Sequence, residues 1–386
     1  MGRNVIPKIE DYLGRRARVY GGEKAILADL VLAGERDEEE RLGEMRALAR
    51  TAGVDVRGEV LQRRLRPDPV TFIGRGKAEQ ARALAGELGA EVLLVGAELS
   101  PAQARNLEEI THLKVVDRSQ LILDIFAQRA GTPEAALAVE LAQLEYLLPR
   151  LRGWGHALSN PGGGIGTSGP GETKLEQSRR AIRRRIQTIR EELAKAEQDR
   201  HVRRARRTRA GLPLVALVGY TNSGKSSLFT ALCGSPTLVE DKLFATLDTR
   251  TRRMALPSGE TALVVDTVGF IRNLPHELVP AFRATLESMG EARLLLVVVD
   301  AAAPSAPDHL RVAQEVVAQN WPSSDVPPVL VVLNKIDLLE AQEARHKAQD
   351  LLDPDGQAVW VSAKTGENLD HLRRAIAARL AAHQPI

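Results

Sequence analysis

Residues 219–226 read GYTNSGKS, two glycines followed by a lysine and a serine in the pattern G-x-x-x-x-G-K-[ST]. That spacing does phosphate chemistry. Glycines let successive backbone N–H groups wrap an anion, and the start of the next helix adds positive potential. The lysine ammonium reaches the β- and γ-phosphates, and the serine hydroxyl ligates Mg²⁺. Lys225 and Ser226 take those roles, with Gly219, Tyr220, Thr221, Asn222, Ser223, Gly224 and Ser227 forming the cradle. DTVG at 266–269 supplies a second element. Asp266 is expected to bind Mg²⁺ through water, the Gly269 N–H to sense the γ-phosphate, and Thr267 and Val268 to belong with them to the nucleotide-binding set. NKID at 334–337 supplies a third. The Asp337 carboxylate can accept from the N1–H and exocyclic amine of guanine, a donor pair that adenine lacks. Asn334 can reach the base edge, and the stem of Lys335 can lie over the ring. Backbone N–H groups of Ser362, Ala363 and Lys364 can meet guanine O6. These motifs select GTP over ATP.

Between the first two motifs lies FATLDTRTRR, residues 244–253. A threonine here is expected to complete the Mg²⁺ shell and clamp the γ-phosphate. Thr246 is the choice, with Thr249 and Thr251 as competitors, and Phe244 and Ala245 are expected to join it in the nucleotide-binding set. The catalytic set is then Lys225, Thr246 and Gly269. Phe270 stands where many regulatory GTPases carry the Gln that orients the attacking water. Phe has no hydrogen-bonding group, so hydrolysis is expected to be slow unless a partner orders the water. Packing of Phe270 in the core is a compatible reading. Asn222 has two readings, a ligand for K⁺ beside the phosphates or a residue that stabilises the turn.

These loops need strands and helices to hold them. LPLVALVG (212–219), ALVVDTVG (262–269), RLLLVVVD (293–300), PVLVVLNK (328–335) and AVWVSAK (358–364) are continuous apolar runs, most of them separated by helical stretches. That pattern predicts a doubly wound, mainly parallel sheet over 211–386, a P-loop GTPase domain of the α/β class. Upstream, ILADLVL (26–32), 54–65, VLLVG (92–96) and VVD (115–117) read as strands, with helices over 37–51, after FIGRGK (72–77) and after Ser100–Pro101. Residues 1–118 are thus expected to form a small α/β subdomain. Residues 119–210 read as a helical hairpin, with Thr132 as an internal cap and the Gly-rich stretch PGGGIGTSGPGE (161–172) joining two long helices.

Composition narrows the class. The chain has 386 residues, 44% hydrophobic and 27% charged, enough to bury a sizeable core. A single cysteine, Cys233, excludes a disulfide framework and a Cys-based zinc site. With no apolar run of about 18 residues, a membrane span is not expected, and a cytoplasmic chain, monomer favoured, is. The charge is uneven. Segment 174–209 holds 12 Arg and 2 Lys against 5 acidic residues, whereas 211–386 holds 16 Lys+Arg against 20 Asp+Glu. A basic stripe of this kind fits a polyanionic partner. Aromatic residues are only 3% of the chain, so contacts to the backbone and shape of folded RNA are favoured over base stacking. A Gly-rich tip lets bare backbone approach that RNA closely; a flexible linker is its other reading.

Taken together, GYTNSGKSSL, FATLDTRTRR, DTVGFI, FIGRGK and GGGIGTSGPGETKLE ahead of an Arg-rich helix resemble the HflX family, within the translation-factor-related GTPases. The resemblance covers nearly the whole chain. It implies an α/β N-terminal subdomain, a helical subdomain and a GTPase domain, with GTP hydrolysis and binding to the large ribosomal subunit. It further implies action on stalled or idle ribosomes under stress. An apolar residue at 270 agrees with it. The chain closes at Ile386, soon after the last expected GTPase helix, so any additional C-terminal domain is expected to be short or missing. Two other classes stay open: a regulatory GTPase of an RNA-modifying system, and an RNA-binding GTP switch in ribosome assembly.

Overall fold

The computed structural model describes residues 22–32, 38–151, 174–209, 212–234, 244, 250–271, 290–320, 327–339, 349, 352–353 and 356–382. The chain divides into two compact units near Glu197.

In the first unit, β1 (Lys24–Leu32), α1 (Glu38–Ala52), β2 (Asp55–Arg64), α2 (Arg75–Leu88), β3 (Val92–Val95), α3 (Pro101–Thr111) and β4 (Lys114–Asp117) alternate. The sheet order is β2-β1-β3-β4 with every neighbouring pair parallel. The central strands β1 and β3 are buried on both faces, which is why they read as unbroken apolar runs. Polar side chains start three of the helices. Ser100 and Gln103 form a reciprocal capping box ahead of Pro101. Asp117 accepts from Gln120 N to cap α4 (Arg118–Arg129), and Thr132 accepts from Ala135 N to cap α5 (Pro133–Arg150).

Leu141, Leu144, Leu147 and Leu151 of the α5 region pack on Ile182, Ile186 and Ile189 of α6 (Lys174–Arg209). Three- and four-residue steps put these side chains on one face of each helix. Charged pairs flank that seam. Arg185 forks onto Glu140 with two 2.7 Å bonds, and Arg190 meets Glu145 at 2.7 Å. Part of the Arg surplus is therefore satisfied within the protein. Arg183 and Arg184 remain exposed. The Gly-rich stretch 161–172 and the side chains of RHVRRARRTR lie outside the described residues.

The second unit contains β5 (Leu214–Val218), α7 (Lys225–Cys233), β6 (Arg250–Ala255), β7 (Thr261–Asp266), β8 (Leu294–Asp300), α8 (Ala306–Asn320), β9 (Val329–Asn334), β10 (Val359–Trp360) and α9 (Leu369–Ala382). The sheet order is β10-β9-β8-β5-β7-β6. All pairs are parallel except β6 on β7. Side chains alternate across β5. Val215 and Leu217 face α7 and α9, whereas Ala216 and Val218 face α8. Two expectations change. The run 358–364 is strand only over Val359–Trp360, because Ser362 and Ala363 leave the ladder to bond the neighbouring loop. The edge strand β6 carries RTRRMA, too polar to show as a buried run. Among the described residues, no helix is long and apolar enough to cross a membrane.

Candidate nucleotide site

Three loops converge at the carboxyl ends of β5, β7 and β9, where open α/β sheets place their ligands. The first leaves β5 at Val218. Gly219 has φ 147°, and a Cβ there would collide with the Val298 carbonyl. Gly224 has φ 89°, and its Cβ would occupy the place of the Asn334 amide nitrogen. Both glycines are therefore required by close approach as well as by conformation. Exposed Asn222 sits at the turn with φ 61°. Asn tolerates that left-handed conformation better than most side chains, which accounts for its presence in structural terms. Tyr220, Thr221 and Ser223 are buried, and the Tyr220 ring stacks on His309 with centroids 3.9 Å apart.

Lys225 opens α7 with its side chain buried, its Nζ donating to the Tyr220 carbonyl at 2.7 Å. Burial pulls its pKa down to about 8; Asp266 opposes the shift and the Lys335 ammonium adds to it. A lysine so placed gains from an anion that restores its charge. Ser226 Oγ donates to Asp266 Oδ2 at 2.8 Å, so the two oxygen groups expected at a divalent cation already adjoin. Hard oxygen donors of this kind suit Mg²⁺.

The DTVG segment is laced to the first loop. Phe270 N donates to Gly219 O at 2.9 Å, and Thr221 N donates to Phe270 O at 2.7 Å. Gly269 lies against that loop so closely that a Cβ would come within 2.8 Å of both Lys225 Nζ and Thr221 Cα. Thr267 and Val268 turn inward. The Thr267 hydroxyl donates to Leu217 O at 2.6 Å, and Val268 is buried. Phe270 is also buried, among Tyr220, Leu295 and Val297, so it packs in the core. Phe244 is buried in a turn with φ 55°. Ala245, Thr246 and Thr249 lie outside the described residues, and Thr251 is exposed on β6.

The third loop follows β9. Both ends of the buried Asn334 side chain bond protein. Its Nδ2 donates to Ser223 O at 3.0 Å, and its Oδ1 accepts from Ala363 N at 3.0 Å. Asn334 thus ties the 219–226 loop to the 362–364 loop. Ser362 Oγ donates to Asp337 Oδ1 at 2.6 Å and orients that carboxylate, while Lys364 is exposed. Lys335, with φ 66°, pairs with Asp300 Oδ2 at 2.7 Å. Ser227 lies half-buried in the first turn of α7. Asp300 and His309 belong to no motif read from the sequence. The available signal for Asp300 was a carboxylate closing an apolar strand beside the site.

A family model described as "GTP-binding GTPase N-terminal" matches residues 39–127, and one described as "GTP-binding GTPase Middle Region" matches 129–207. A third, "50S ribosome-binding GTPase", matches 214–335. GTPase HflX of Caldanaerobacter subterraneus subsp. tengcongensis is 46% identical over 354 residues, covering 92% of this chain and 80% of that protein. GTPase HflX of Escherichia coli K12 is 44% identical over 369 residues, covering 94% and 84%. A solved structure, SsGBP in complex with GDP, aligns with TM-score 0.51 at 25% identity over 93% of this chain and 99% of that one. The match extends through all three segments as well as the nucleotide motifs, and the chain belongs to the HflX family of GTPases.

Proposed function

We propose that this chain binds GTP with Mg²⁺, hydrolyses it by water, and docks its N-terminal half on the ribosomal RNA of the large ribosomal subunit to act on stalled or idle ribosomes in the cytoplasm. The observation that carries the nucleotide reading is the Asn334 tie. It brings a phosphate cradle (219–226) and a base-recognition pair (Asp337 with the 362–364 loop) into one site. In this reading the 219–226 backbone and the Lys225 ammonium hold the β- and γ-phosphates. Asp337 accepts from the guanine N1–H and exocyclic amine through its second oxygen and the one oriented by Ser362. Mg²⁺ would be held by Ser226, Asp266 and Thr246, and would neutralise charge between the β- and γ-phosphates.

Gly269 and Thr246 are the proposed contacts to the γ-phosphate. Loss of that phosphate releases them and weakens docking. Phe270, buried and apolar, offers nothing to orient water, so turnover depends on a group brought by the partner. K⁺ beside Asn222 is the other proposed source of charge; hydrolysis in K⁺ against Na⁺ salts tests it. Support for docking comes from the basic surplus of 174–209 and the family's "50S ribosome-binding" description. Co-sedimentation with large subunits in the presence of a non-hydrolysable GTP analogue or GDP tests it. Equal sedimentation in both states removes the switch from the proposal.

A further inference from the structure

Asp300 is the last residue of β8, and parallel pairing sets it opposite Asn334. The Ala301 N–H donates to Asn334 O at 2.9 Å, and Asp300 Oδ1 accepts from Ala302 N at 3.1 Å. One carboxylate oxygen is therefore fixed by its own turn, which aims the other at Lys335 Nζ, 2.7 Å away. The two side chains are 18% and 25% exposed, so the pair is largely shielded from water. Lys335 sits in a left-handed backbone conformation. A Cβ at Gly224 would lie 3.8 Å from Lys335 Cε, so the lysine stem runs over the phosphate loop on its way to Asp300. A mobile lysine here would leave a second ammonium free to wander beside buried Lys225, whose charge it already disfavours.

We propose that Asp300 is a positioning residue for guanine-nucleotide recognition: its carboxylate anchors the Lys335 ammonium so that the lysine stem forms a fixed wall of the base slot. This rests on the guanine reading of Asn334–Asp337 given above. The anchor acts on the ring face, whereas Asp337 reads the base edge. It therefore favours any purine that Asp337 admits and does not discriminate the exocyclic amine.

The test uses the full chain, a ribose-labelled fluorescent GDP, and competition by GDP, IDP and ADP. Asp300→Asn keeps an oxygen for the Ala302 N–H and removes the charge. It is expected to weaken GDP and IDP alike by about tenfold, as for a shielded charge-assisted bond. The GDP-to-IDP ratio should stay unchanged. In GTP hydrolysis the loss is expected mainly in KM. On a Lys335→Met background the same substitution should have no further effect, because the two residues act as one unit. Asp300→Ser, which also keeps an oxygen for the turn, provides the same comparison if Asp300→Asn lowers the melting temperature. Affinity unchanged within about twofold, or losses that multiply in the double variant, would overturn the proposal and leave Asp300 as a turn former. The underlying guanine reading fails separately. In that case Asp337→Asn leaves the preference for GDP over ADP intact, whatever Asp300 does.

Discussion

At the scale of single residues, close approach decides identity. Gly224 both adopts φ 89° and leaves room for the Asn334 amide. Gly224→Ala should therefore destabilise the second unit by about 1–3 kcal/mol and abolish GDP binding; chemical denaturation and fluorescence titration measure the two effects. Asp337→Asn should exchange an acceptor for a donor at the base edge, cutting GDP affinity about 100-fold and favouring the xanthine nucleotide, which carries a carbonyl where guanine has its amine. The buried lysine carries a pH signature. The pKa of Lys225 is lowered to about 8 before any phosphate arrives, and a bound phosphate favours its charged form. Nucleotide affinity should be flat below about pH 7 and fall as pH rises through about 8, with proton uptake on binding above that point. Titrations with fluorescent GDP at about pH 7 and about pH 8.8 check this; equal affinities would mean that the ammonium stays fully charged without ligand. The glycines, Lys225 and Ser226 were legible from spacing alone. The part Asn334 plays was not. Its motif points it to the base edge, and its amide also joins residues 111 and 29 positions away in the chain.

At the scale of elements, the strands were legible where burial on both faces gives continuous apolar runs, as in β5, β8 and β9. Helix starts were legible where a cap is chemically distinctive, as at Ser100 and Thr132. The edge strand β6 was hidden because its polar, mostly exposed run RTRR looks like a loop. The length of β10 was overestimated because an apolar run does not reveal where its backbone leaves the ladder. The α5–α6 seam makes its own prediction. Ile182 is fully buried against the leucines of α5. Ile182→Ala should cost about 2–4 kcal/mol, detected as faster amide exchange in α5 and α6. An exchange rate unchanged in both helices would mean that they do not support each other. Arg185 is expected to contribute less to an RNA partner than its place in the basic run implies, since Glu140 already takes its Nε and one of its two terminal nitrogens.

At the scale of the whole molecule, two halves of opposite charge character share one chain: an Arg-rich helix in 174–209 and an acidic nucleotide-binding half in 211–386. Such a division suits a protein whose one part meets a polyanion while the other turns over a nucleotide. Phe270 is buried and apolar, so position 270 supplies no side chain to orient water. The most direct test is GTP hydrolysis by the purified chain with and without large ribosomal subunits, at low and high salt, with ATP as the control nucleotide. Slow turnover is expected from the chain alone, with a large stimulation by the subunits that is specific to GTP and declines as salt screens the arginines. Measurable GTP binding with no stimulation at either salt concentration would contradict it.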